Sequence, residues 1–194
     1  MKATFRFALA PVALAFAAGG AWAQKTELLV YTALETDQLK AYTESFNKMY
    51  PDIELKYVRD STGVVTARLL AEKANPQADA ILGLAASSLE IFKAEGMLAG
   101  YAPKGVEKLN KLFVDKSKPP MWVGQDVWAA TVCYNTVEGQ KKGIPKPESW
   151  ADLAKPVYKG QVTMPNPASS GTGYFDVTAW LQTMGEAEIG RAHV

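Results

Sequence analysis

The chain has 194 residues and a net charge of +1, with acids and bases interspersed, so nothing in its electrostatics points to nucleic acid or a membrane surface. A single cysteine, Cys133, excludes an internal disulfide, and 48% hydrophobic residues are enough for the core that a chain without disulfides needs. Cys133 lies in the apolar run 129–134 and is expected to be a small core residue.

Met1, Lys2 and Arg6 lead into a nearly continuous apolar run from Phe7 to Ala18, closed by Ala21-Trp22-Ala23 before Gln24. A basic start, a short apolar centre and an A-x-A site predict a secretory signal peptide, residues 1–23, cleaved after Ala23. The run is too short to span a bilayer, so the mature chain is expected to begin at Gln24, outside the cytoplasm.

Residues 27–31 form an apolar run that reads as a buried first strand. A helix over about 37–50 follows, with Leu39, Tyr42, Phe46 and Met49 on one face, Thr36 as its cap and Pro51 as its stop. Residues 53–58 read as the second strand, Arg59-Asp60-Ser61-Thr62-Gly63 as its exit loop, and about 64–74 as the second helix. A third strand over 78–84 leads through Ala85-Ala86-Ser87-Ser88 into a helix ending near Gly96. Strands alternating with helices predict right-handed βαβ crossovers and a largely parallel sheet.

Residues 101–120 are basic and loop-like. Residues 121–124 and 127–135 read as two strands, the second carrying the chain toward another lobe. At 145–153 a turn leads into a helix start, with Ser149 as cap and Asp152 in the capping-box position. A short strand over 161–164 precedes Pro165-Asn166-Pro167-Ala168-Ser169-Ser170-Gly171-Thr172-Gly173-Tyr174 and an apolar helical run, 175–184. Ile189 to Val194 back-translates to a common sequencing-adapter string, so residues 188–194 are expected to be foreign read-through. His193 is the only histidine and falls in that tail, which leaves the native part without a histidine base or metal ligand.

Each strand-to-helix junction carries hydroxyls: Thr32 beside Glu35, then Ser61 and Thr62, then Ser87 and Ser88. Loops at the carboxyl ends of parallel strands line the binding crevice of open α/β sheets. Ser169, Ser170, Gly171 and Thr172 would present hydroxyl and backbone donors at a helix N-terminus, a ready cradle for an oxyanion. Each of these hydroxyls is also compatible with simple helix capping.

Val30-Tyr31-Thr32, Asp60-Ser61-Thr62-Gly63, Pro147-Glu148-Ser149-Trp150-Ala151-Asp152-Leu153 and residues 165–173 together resemble extracellular solute-binding proteins of ABC importers, in the branch related to ferric-ion binders. Within it, Arg59-Asp60-Ser61-Thr62-Gly63, Leu84-Ala85-Ala86-Ser87-Ser88 and residues 166–173 are similar to the 2-aminoethylphosphonate binders. The resemblance covers 24–186 and implies a two-lobed α/β fold of the type II periplasmic-binding-protein kind. The first lobe would span 24–135 and lack its C-terminal return, and the second would start at 136 and be truncated at 187.

The family implies a monomeric binding protein rather than an enzyme, without cofactor or metal, handing an aminophosphonate to an inner-membrane permease. Ser169, Ser170, Gly171 and Thr172 would meet Ser61, Thr62, Ser87 and Thr32 around the phosphonate. Glu35 would pair with the ligand ammonium, or else serve only the helix dipole. The family's ferric binders have a histidine where this chain has Glu35 and a carboxylate where it has Val64, which disfavours iron. Polyamines and other small solutes remain alternatives. A Ser170 nucleophile would need a base, and neither a native histidine nor a Gly-x-Ser-x-Gly motif is present.

Overall fold

The computed structural model describes residues 25–189, so the expected signal peptide and its cleavage point, His193, and all but two residues of the expected foreign tail lie outside the described residues. Three strands, β1 (Thr26–Thr32), β2 (Ile53–Arg59) and β3 (Ala80–Leu82), form one parallel sheet in the order β2-β1-β3. β1 pairs with β2 from Thr26↔Ile53 to Thr32↔Arg59, and with β3 from Val30↔Ala80 to Thr32↔Leu82. The β3 pairing is shorter than the apolar run 78–84 predicts. Asp79 extends it instead, its N–H donating to the Leu29 carbonyl and its carboxylate accepting from the Leu29 N–H, both at 2.8 Å.

Helices α1 (Thr36–Met49), α2 (Thr62–Ala71) and α3 (Ala86–Ala94) follow the three strands in turn. β1 and α2 supply most of the core, in which Tyr31, Val65, Leu69, Leu84 and Phe92 pack together. Tyr31 is fully enclosed, its hydroxyl donating to the Glu72 carboxylate at 2.8 Å while Arg68 lies over its ring. Glu35, not Thr36, caps α1: its N–H donates to Gln38 Oε1 at 3.0 Å. Of the four apolar residues expected to line α1, only Leu39 is buried. α2 starts two residues earlier than periodicity suggests, because Ser61 rather than Gly63 holds the cap position.

The second half departs further from expectation. Residues 121–124, 127–135 and 161–164 form no strand, apart from one antiparallel bridge between Val114 and Val123. Residues 122–124 do meet the 113–115 segment, Asp115 N–H donating to the Trp122 carbonyl at 3.1 Å and Gly124 N–H to the Phe113 carbonyl at 2.6 Å, but the contact stops at that bridge, and no strand lies beside 127–135 or 161–164 among the described residues to take their N–H and C=O groups. For the same reason Cys133 is exposed rather than in the core. Asp115 holds the 106–123 region to α3, accepting from Lys93 Nζ at 2.5 Å and from the Met121 N–H at 2.9 Å.

Helix α4 (Thr136–Lys142) is capped by Asn135 and stopped by Gly143 at φ 65°. Ser149 and Asp152 form the expected capping box, but the helix they open is a single 3-10 segment, Trp150–Ala154. The 14-residue helix α5 (Gly171–Met184) packs Trp180 edge-on against Trp150, with ring centroids 5.6 Å apart, and the short α6 (Glu186–Ile189) follows.

Candidate functional site

The loop before α5 is built by its own residues. Asn166 Oδ1 accepts from the Ala168 N–H at 2.9 Å, and the Asn166 carbonyl accepts from the Ser169 and Ser170 N–H groups at 3.1 and 2.8 Å. A tight turn of this kind suits Asn between two prolines. Ser170 caps α5, its Oγ accepting from the Gly173 N–H at a long 3.4 Å. Gly173 is required by crowding, since a Cβ there would lie 2.3 Å from the Pro165 carbonyl oxygen.

This loop sits against the N-terminus of α2. Residues 33–35, Gln38, Ser61, Thr62, Asp126, Trp128 and residues 170–172 surround a cleft of about 370 Å³. The helix starts at Thr62 and Gly171 thus face one space from two sides. Neither α2 nor α5 has an acidic residue in its first turn, though Asp60, just before the α2 cap, accepts from the Ser61 N–H at 2.7 Å. The Thr62, Gly171 and Thr172 N–H groups make no hydrogen bond to the described residues. Three free backbone donors and the Thr62, Ser170 and Thr172 hydroxyls can therefore converge on an anion.

The candidate residues divide accordingly. Thr62, Ser170, Gly171 and Thr172 line the cleft with free donors. Ser61 lines it too, but its hydroxyl donates to the Ser169 carbonyl at 2.8 Å. Ser169 does not line it: its hydroxyl turns back to the Asn166 carbonyl at 3.5 Å. Thr32 is fully buried and its Oγ1 accepts from the Leu34 N–H, so it shapes the junction instead of facing the cleft. Ser87 opens onto a different and larger groove of about 1240 Å³, lined mainly by apolar side chains such as Leu98, Phe113 and Trp122. The smaller cleft is the candidate site because the free donors are there.

Glu35 reaches the cleft but is not free. Its carboxylate pairs with an Arg59 guanidinium NH2 group, and Arg59 Nε donates to the Leu34 carbonyl at 2.7 Å. Gln38, Asp126 and Trp128 carried no site signal in the sequence, and Arg59 entered it only as part of the 59–63 motif. Trp128 falls in the segment read as a strand, 127–135, and Asp126 in the short gap before it. Contact between the Trp128 and Phe175 rings, 5.2 Å apart, brings that segment beside the start of α5. Among the described residues no group of three or more His, Cys, Asp or Glu is placed to hold a metal ion.

The family model described as bacterial extracellular solute-binding protein matches residues 75–192, more than half of the chain. An uncharacterised protein of Haemophilus influenzae is 27% identical over 190 residues, which is 96% of this chain and 55% of that one. Two solved structures are similar in fold over 84% of this chain and 52% of theirs. They are the periplasmic binding protein P5PA (TM-score 0.68, 25% identity) and the periplasmic binding protein AfuA of Actinobacillus pleuropneumoniae with exogenous fructose-6-phosphate bound (TM-score 0.70, 27% identity). The chain spans about half the length of these relatives.

Proposed function

We propose a function from one premise: the chain belongs to the family of bacterial extracellular solute-binding proteins. It is the capturing component of an ABC importer, acting in the periplasm as a monomer that binds its ligand without transforming it and passes it to a membrane permease. The ligand is a small phosphorus oxyanion, and our assignment is 2-aminoethylphosphonate. The carrying observation is that the free Thr62, Gly171 and Thr172 N–H groups, at two helix starts, line one cleft. A doubly charged phosphonate would take those donors and the Ser170 hydroxyl, each charged hydrogen bond contributing about 1.5–3 kcal/mol. Glu35 would meet the ammonium at the cleft mouth, its carboxylate shared between the ligand and Arg59.

Capture follows from two segments on opposite walls of the cleft. Ligand bridging α2 and α5 stabilises their approach, and release reverses it, a shift between open and closed populations. A sugar phosphate is the second reading, favoured by the fructose-6-phosphate bound in the related AfuA. Iron is disfavoured because Val64 stands where a carboxylate ligand would be needed. The test is calorimetric titration with 2-aminoethylphosphonate, fructose-6-phosphate, inorganic phosphate, ferric ion and putrescine. Saturable binding of the aminophosphonate above the others supports the assignment. Preference for the sugar phosphate keeps the oxyanion site and replaces the ligand, whereas preference for putrescine or iron overturns the site reading.

A further inference from the structure

The charge lining of the cleft runs against a simple anion. Arg and Lys are the usual side-chain partners of phosphate groups, yet among the described residues no Lys, Arg or His lines this cleft. Its two charged side chains, Glu35 and Asp126, are both acidic. They are not equivalent. The Glu35 carboxylate pairs with the Arg59 guanidinium, so its charge is already balanced within the protein. The Asp126 carboxylate accepts no hydrogen bond and joins no ion pair among the described residues. It also borders the larger groove, whose mainly apolar side chains give it no partner there either.

Asp126 is held beside the anion donors by its neighbour. Trp128 lines the same cleft two residues further on, and its ring stands edge-on to Phe175 of α5 with centroids 5.2 Å apart. That contact sets the 126–128 segment against the helix whose start supplies the Gly171 and Thr172 donors. A cleft of about 370 Å³ is at the small end of ligand pockets, so one short ligand can touch both the donors and Asp126. A ligand that is only negative would meet the Asp126 charge with no cationic side chain on the lining to offset it. A ligand that carries its own cation turns the same carboxylate into a partner, and the exposed Trp128 ring offers a face for that cation or its stem.

We infer that Asp126 is the specificity-determining residue of the cleft: it selects a zwitterion, a phosphorus oxyanion joined by a short stem to an ammonium, over oxyanions without a positive charge. This selection presupposes the oxyanion site proposed above. The ammonium has three N–H donors and can meet both carboxylates. Asp126 takes the larger share because Arg59 already engages Glu35. Selection works by repulsion of the wrong ligand as well as attraction of the right one.

The test is calorimetric titration of the full chain with 2-aminoethylphosphonate and with propylphosphonate, which puts a methyl group where the ammonium stands. Wild type should bind the aminophosphonate at least about tenfold more tightly. Asp126→Asn should weaken the aminophosphonate by about tenfold or more and strengthen propylphosphonate by about threefold, so the preference collapses from both sides. Asp126→Glu should keep a preference for the aminophosphonate. A structural role for Asp126 would instead weaken both ligands together. Because Asp126 is exposed and unpartnered, Asp126→Asn should melt with wild type. An unchanged preference in Asp126→Asn, parallel losses for both ligands, or a larger aminophosphonate loss in Glu35→Gln than in Asp126→Asn overturns the role of Asp126. Equal wild-type affinities for the two phosphonates overturn the selection and leave the oxyanion site standing. A wild type that binds neither overturns the site and the selection together.

Discussion

Ser170 has two jobs that a substitution series can separate. It caps α5, and its hydroxyl is a free donor facing the cleft. The cap bond to the Gly173 N–H is 3.4 Å long, near the limit of a hydrogen bond, so its loss belongs at the low end of cap effects, about 0.5 kcal/mol. A hydrogen bond to a doubly charged ligand is worth more, about 1.5–3 kcal/mol, or roughly 10- to 150-fold in affinity. Glycine is nearly as good as serine at a cap but carries no hydroxyl. Ser170→Gly should therefore leave the thermal midpoint almost unchanged while weakening 2-aminoethylphosphonate by about 10- to 150-fold in a calorimetric titration. Ser170→Ala should show the same affinity loss plus a small drop in stability, and Ser170→Thr should recover most of both. Wild-type affinity in Ser170→Gly would refute the placement of this hydroxyl on the ligand.

Glu35→Gln should weaken 2-aminoethylphosphonate several-fold but leave methylphosphonate, which lacks the amine, unchanged in parallel titrations. Its effect on stability should stay below about 1 kcal/mol, because the Glu35–Arg59 pair is largely exposed. Phe92→Ala empties a fully enclosed position in the core and should cost about 3–5 kcal/mol in denaturant unfolding. Lys93, with help from the Met121 N–H, holds the Asp115 carboxyl well below the usual carboxylate range. A depressed folded value means that ionised Asp115 stabilises the fold above its unfolded value, near pH 4, and that this is lost as pH falls through the lower folded value. Thermal melts should therefore decline below about pH 4 in wild type and decline less steeply in Asp115→Asn.

Much of the first half could be read locally. Glu27 to Tyr31 is an apolar run, Ile53 to Val58 alternates apolar with charged residues, and each is followed within a few residues by a helix, capped by Glu35 and Ser61. Ser149 and Asp152 likewise formed their box because both partners lie within four residues. What failed were readings that needed a distant partner. Residues 121–135 have a strand pattern without a strand beside them, and Cys133 is exposed as a result. Thr32 and Ser87 belong to the right kind of junction, yet one points into the core and the other into a different groove.

By itself the sequence determined the order of the three strand–helix pairs of the first half, the hydroxyl- and glycine-rich start of α5 and its resemblance to solute binders, since periodicity, caps and turn chemistry act over a few residues. Only the tertiary structure decided which donors stay free. Whether a hydroxyl meets a ligand or a neighbouring carbonyl depends on what lies across from it, and for Ser61 that is Ser169, 108 residues away. Gly63 makes the same point. Locally it looks like a weak helix residue, and its reason is a backbone carbonyl supplied from the far side of the cleft.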